Sequence, residues 1–241
     1  MASLRRRNLT AVALGLYWTI LLVLSHIPIP GMVYKAQVSD KALHFAAYLV
    51  LVFLMWFALR PDSKVNWRSA AVWGVILLLG CYSGIDELLQ GYVGRNCDIR
   101  DFSANMAGVF AGLVCFSFLS FWPAMLAVSG ISVFILTNLA KVNPFELVPV
   151  ASIIFYGVVY SFFALVWVRC IGIFLRVRAR QSSWLLAALA LPAALLVSVE
   201  IFSVIAGRGF RPSRVIASAA GFALVVGVIM LVSGRRCKAF T

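Results

Sequence analysis

Along the chain, apolar residues fall into eight long stretches, at about 9–28, 41–60, 67–89, 101–119, 122–140, 150–171, 183–206 and 213–233. Each is close to the roughly 20 residues that carry a helix across bilayer hydrocarbon. In lipid a helix satisfies every backbone N–H and C=O within its own segment, so each stretch is predicted to be a membrane-spanning α-helix. The expected fold is therefore an all-α polytopic bundle of eight transmembrane helices. The first stretch follows Arg5, Arg6 and Arg7 and lacks a small-residue cleavage site, so it reads as an uncleaved first helix. Polar positions mostly sit between the stretches. The exception runs from Glu87 to Gly112, where ionisable and amide side chains occupy the ends of two apolar segments; polar groups at that depth are costly and usually functional.

Composition agrees with this pattern: 63% of the residues are hydrophobic, 12% are charged, and the mean hydropathy is +1.00. The net charge of +13 would suit nucleic acid if it formed one face, but its distribution points elsewhere. With the N-terminus inside, the cytoplasmic segments collect Arg5, Arg6, Arg7, Arg60, Lys64, Arg68, Arg169, Arg176, Arg178, Arg180, Arg235, Arg236 and Lys238 against the single acid Asp62. That asymmetry is an orientation signal and places both termini in the cytoplasm. The five cysteines form no CxxC pair and no Cys/His grouping, so neither a zinc site nor a disulfide framework is expected, and no metal site is assigned. Cys97 is expected to be the one reachable from solvent.

Set against itself at an offset of 113, the chain pairs Glu87 with Glu200, Gly94 with Gly207, Arg95 with Arg208, Ala104 with Ala217, Ala107 with Ala220 and Gly108 with Gly221. With one gap, Tyr48 also echoes Tyr160. Six identities in this window exceed the roughly two expected from so narrow a composition. Two parallel four-helix copies, 1–120 and 121–241, follow from this. The copies differ in charge, since Asp98 and Asp101 correspond to Arg211 and Arg214, and opposite charges at matching places are expected to pair across the pseudo-twofold axis.

Several side chains are candidates for binding. Asp40, His44 and Tyr48 recur every four residues on one helical face; Asp40 serves either as a helix cap or as the carboxylate that tunes a titrating His44. Glu87 and Gln90 share the outer end of the third helix, while Asp86 lies about 100° round the cylinder from Glu87. Gly80 and Gly84 below them read as a close helix-packing pair. Arg95, Asp98 and Asp101 lead into a stripe continued by Asn105, Gly108 and Gly112. Asn105, about one turn inside the membrane, needs partners for its amide, and Gly108 and Gly112 read as helix-packing residues. In the second copy, Arg208, Arg211 and Arg214 are expected either to engage an anion or to snorkel toward lipid headgroups.

Taken in order and spacing, Asp40-Lys41-x-x-His44-Phe45-x-x-Tyr48, then Glu87-x-x-Gln90, then Arg95-x-x-Asp98-x-x-Asp101-x-x-x-Asn105-x-x-Gly108-x-x-x-Gly112, closely resembles the VanZ-like family of bacterial membrane proteins. A Ser-x-x-Pro turn at Ser25 and Pro28 belongs to the same pattern, which covers roughly residues 10 to 120. The resemblance implies a four-helix unit acting at the cell envelope of the bacterial inner membrane, in a family whose named member is linked to teicoplanin resistance. The second copy departs from the pattern at nearly every polar position except Glu200 and Arg208.

The leading expectation is a non-catalytic protein, without cofactor, whose extracytoplasmic polar pocket recognises a cell-envelope component, such as a lipid-linked wall precursor, or a lipophilic antibiotic. Its partners would be that ligand and membrane lipids, not nucleic acid. Two other readings stand beside it. One is a hydrolase or transferase acting on a lipid-linked phosphate, with His44 and Glu87 as acid and base and a divalent cation as cofactor. The other is a proton-coupled transporter built on Glu87 and Glu200.

Overall fold

In the computed structural model, residues 2–26, 41–92, 98–139, 149–175 and 182–238 are described. They form eight helices, with no strand among the described residues. These are α1 (Ala2–His26), α2 (Lys41–Leu59), α3 (Ala70–Tyr92), α4 (Ile99–Phe118), α5 (Phe121–Phe134, extended by a π-helical turn Ile135–Leu139), α6 (Pro149–Phe174), α7 (Ser182–Ile205) and α8 (Pro212–Lys238). All eight are long and apolar enough to cross a membrane, and each lies within a few residues of a stretch predicted from hydropathy. The chain is a multi-pass membrane protein.

Local chemistry accounts for the helix starts. Asp98 is the N-cap of α4, in extended backbone with its carboxylate accepting the Arg100 N–H. Pro149 and Pro212 open α6 and α8 at the first helical position, where a missing N–H has no intrahelical partner to lose. Between α7 and α8 the chain turns through Gly207 and Gly209, both at positive φ, a conformation that side chains with a Cβ rarely adopt.

The chain folds as two compact units, Met1–Lys141 and Val142–Thr241. In the first, α2 is the central helix, packed chiefly on α4 and also on α1 and α5. α4 approaches α2 where Gly108 lies on the Phe45 carbonyl and Gly112 on the Val52 side chain. At one end of the unit, Phe53, Phe57, Phe116 and Phe121 form a continuous aromatic cluster. Arg6 closes that end by stacking over Phe121 and pairing with Asp62 at 2.9 Å. Phe121 ties α5 to this unit, its ring completing the cluster supplied by α2 and α4. The outward faces carry exposed Leu9, Leu16, Trp73, Leu77 and Leu88, the apolar exterior that lipid requires.

The second unit holds α6, α7 and α8, with α6 and α8 in the most extensive contact. Gly221 lies on the Gly157 carbonyl, a close approach like that of Gly108 on Phe45. The Trp167 indole donates to the Ala187 carbonyl at 2.8 Å, and Ile171, Trp184, Ala188 and Val226 form a small core.

One packing expectation, the pair Gly80 and Gly84, needs correction. A Cβ on Gly84 would meet nothing within 4 Å, and one on Gly80 would meet only the flexible Met106 side chain at 3.7 Å. Neither glycine marks a close helix crossing. The Met106 side chain stands against α3 where a backbone contact was expected, so close approach belongs to α2 and α4.

Candidate functional site

The polar residues of the first unit gather at the end opposite the aromatic cluster, because α2 begins there, α3 ends there and α4 begins there. His44 sits in the first turn of α2, Glu87 near the end of α3, Asp101 in the first turn of α4, and Asn105 one turn further in. Glu87, Asp101 and Asn105 are buried and His44 is half-buried. The Asn105 amide donates to Ser83 Oγ at 2.9 Å, leaving its oxygen 3.1 Å from His44 Nδ1. The amide oxygen can only accept, so Nδ1 is the nitrogen that donates to it, while Nε2 lies 3.8 Å from Asp101 Oδ2. Glu87 Oε1 lies 3.9 Å from Nδ1.

Asp86 and Glu87, adjacent in sequence and both buried, are treated differently. Asp86 accepts Ser25 Oγ–H at 2.9 Å and Gln90 Nε2–H at 2.8 Å and has His26 Nδ1 at 3.8 Å. It ties α1 to α3 as a satisfied structural carboxylate. Glu87 is only 3% exposed, and neither of its oxygens accepts a hydrogen bond from a described residue. The Asp98 peptide N–H acts on it from the start of α4 without meeting hydrogen-bond geometry. A carboxylate so placed costs several kcal/mol if it stays charged and unpaired.

At the rim, Lys41 Nζ stands 3.7 Å from Asp98 and 3.9 Å from Asp101. The Asp98 carboxyl titrates below its ordinary value, first because the Arg100 N–H binds its charged form and further because Lys41 is close. Asp98 is thus the cap and Asp101 the buried acid. Tyr48 is buried one turn below His44 on α2, its ring stacked 6.1 Å from that of Tyr82. Asp40 and Arg95 lie outside the described residues.

In the second unit the arginines divide. Arg211 is exposed and Arg208 partly so, whereas Arg214 is buried. Arg214 binds Glu200 through two hydrogen bonds, Nε to Oε1 at 2.8 Å and a terminal nitrogen to Oε2 at 3.1 Å, and also reaches Ser203 Oγ at 3.1 Å. Its guanidinium stacks over Tyr156 at 5.6 Å. Arg214 is therefore engaged by an acid of its own unit, where sequence reasoning looked for an anion or a partner across an axis. A groove in this unit is lined by Leu196, Val197, Glu200, Ile201, Val204, Ile205, Phe210 and Val215. Glu200, its one ionisable group, is already paired.

Gln90 is brought to Asp86 and away from Glu87. Sequence reasoning passed over Asp86, Ser83, Ser25 and His26 as polar participants. The four-residue step from Asp86 to Gln90 was the available signal for the first; the contact of α1 with Asp86 joins residues 61 apart and has no local signature.

Residues 9–121 match the family model described as VanZ/LLP1. No curated protein and no solved structure shows a significant match.

Proposed function

We propose that the first unit of this multi-pass membrane protein, whose residues 9–121 match the VanZ/LLP1 family model, recognises a component of the bacterial cell envelope, or a lipophilic antibiotic, from the outer surface of the cytoplasmic membrane. The observation that carries the reading is the buried Glu87 carboxylate, unbonded yet beside His44, Asp101 and Asn105 at one end of the bundle. Such a group favours a polar or cationic ligand atom over any internal partner. The apolar flanks of α3 supply a surface along which acyl or prenyl chains lie. The charge asymmetry of the sequence supports an outward orientation of this end, toward the side where wall precursors and glycopeptides act.

Retained lipid tests this. Native mass spectrometry of the detergent-extracted protein is expected to show a co-purifying amine- or phosphate-bearing envelope lipid, with occupancy falling at least tenfold in Glu87→Gln. Equal occupancy in the variant, or none in the parent, sinks the reading. Catalysis on a lipid-linked phosphate is the second reading, favoured by the position of His44 between two carboxylates. The transporter reading loses its main support, because Glu200 is held by Arg214 and is not the twin of Glu87 in chemistry.

A further inference from the structure

The alignment at offset 113 sets Glu200 at the place of Glu87 and Arg214 at the place of Asp101, and the one-gap register that pairs Tyr160 with Tyr48 puts Tyr156 at the place of His44. All three residues of the second unit meet around one cation, the Arg214 guanidinium, which is bound by Glu200 and stacked on Tyr156. The first unit has the corresponding acid and, at the tyrosine's place, an imidazole, but a second acid where the arginine would be. One atom from each of His44, Glu87 and Asp101 lies within 4.8 Å of the others.

We propose that His44, Glu87 and Asp101 form a binding site for a divalent transition-metal ion of the Zn²⁺ or Mn²⁺ kind, held where the second unit carries its own guanidinium. Three features independent of the acidic clustering point to a ligand. Glu87 is 97% buried by its 3% exposure, and both oxygens lack a hydrogen bond among the described residues. Asn105, itself fixed by Ser83, holds His44 Nδ1 at 3.1 Å and leaves Nε2, 3.8 Å from Asp101 Oδ2, as the nitrogen available to an ion; a hydrogen bond to the other ring nitrogen is the usual support of a metal-bound histidine. The second unit, finally, places a positive charge at the matching point.

The separations suit such an ion. Ligands about 2.0–2.2 Å from a metal stand about 3–4 Å from one another; Nε2 to Asp101 Oδ2 is 3.8 Å, whereas Glu87 Oε1 is 3.9 Å from Nδ1 and the three ligand atoms lie within 4.8 Å of one another, so Glu87 closes on the ion by rotating its side chain. A nitrogen donor with two carboxylates favours a first-row transition ion over Mg²⁺ or Ca²⁺. Three protein ligands would leave a coordination position open to a water or ligand atom. The ion would offset the buried Glu87 carboxylate, whose oxygens accept no hydrogen bond from a described residue, and would share Asp101 with Lys41. It would also let an anionic ligand group approach an acidic cluster that would repel it.

The test uses the full chain in detergent, stripped with chelator and titrated with Zn²⁺ by calorimetry and with Co²⁺ by visible absorption. The expected result is one equivalent per chain and a ligand-field spectrum of nitrogen and oxygen donors. Glu87→Gln and Asp101→Asn, both nearly isosteric, should each weaken binding at least tenfold, and Asn105→Ala by about 10–100-fold through the loss of histidine support. Glu200→Gln should leave the stoichiometry at one. Failure of the monodisperse parent protein to bind either ion overturns the proposal whatever the variants do, as does binding that all three substitutions leave unchanged. No lipid ligand enters the titration, so a negative result leaves the envelope-recognition reading standing.

Discussion

Asp98 and Asp101, three residues apart, show how position decides what a carboxylate does. Asp98 stands just before α4, half-buried, and takes the Arg100 N–H, whereas Asp101 is folded under the first turn against His44 and Lys41. Because the Asp98 pKa is depressed in the folded state, its contribution to stability is complete above the unfolded value, about 3.9. It is lost as pH falls through the lower folded value. Thermal unfolding in detergent should therefore show a steeper acid-side loss of stability for the parent protein than for Asp98→Asn, which keeps a capping side chain without a charge. Identical acid limbs would remove the cap's electrostatic role. The same scale separates Asp86 from Glu87: one is satisfied by Ser25 and Gln90, so its neighbour is the carboxylate left for a ligand.

Among helices, the crossing of α4 on α2 sets the site, since it brings His44 to Asn105 and Asp101. Gly108 permits that crossing. A methyl group there would meet the Phe45 carbonyl, and one on Gly221 the Gly157 carbonyl; backbone atoms cannot swing aside as a side chain can. Gly108→Ala and Gly221→Ala are each expected to cost about 1–3 kcal/mol through forced separation of the helices. Gly84→Ala has open space and should be neutral, or gain up to about 1 kcal/mol from helix propensity. Melting temperatures of the three purified variants decide the matter, and a loss in Gly84→Ala equal to that in Gly108→Ala would contradict it. The small-residue pattern of Gly80 and Gly84 resembles that of Gly108 and Gly112, and no local signal tells which pair faces a backbone.

Over the whole molecule, orientation rests on the basic residues at one set of helix ends, and reagents that cannot cross the membrane test it. Applied to intact cells, an impermeant maleimide should modify Cys97 but not Cys237, which becomes reactive only after lysis; the reverse pattern would turn the polar end of the first unit toward the cytoplasm. Hydropathy alone determined the number, length and order of the helices, because lipid demands long apolar segments whose backbone bonds close locally. The four-residue spacing of His44 and Tyr48 and the stripe through Asp101 and Asn105 likewise made candidate residues legible, since helical periodicity is a property of neighbours in sequence. Which of two adjacent acids is satisfied, which glycine touches a backbone, that α5 joins the first unit through Phe121, and that Arg214 closes on Glu200 were decided only by tertiary structure. Those outcomes depend on side chains brought together from helices distant in sequence, and the rotation of one helix against another is set by packing that leaves no trace in the local order of residues.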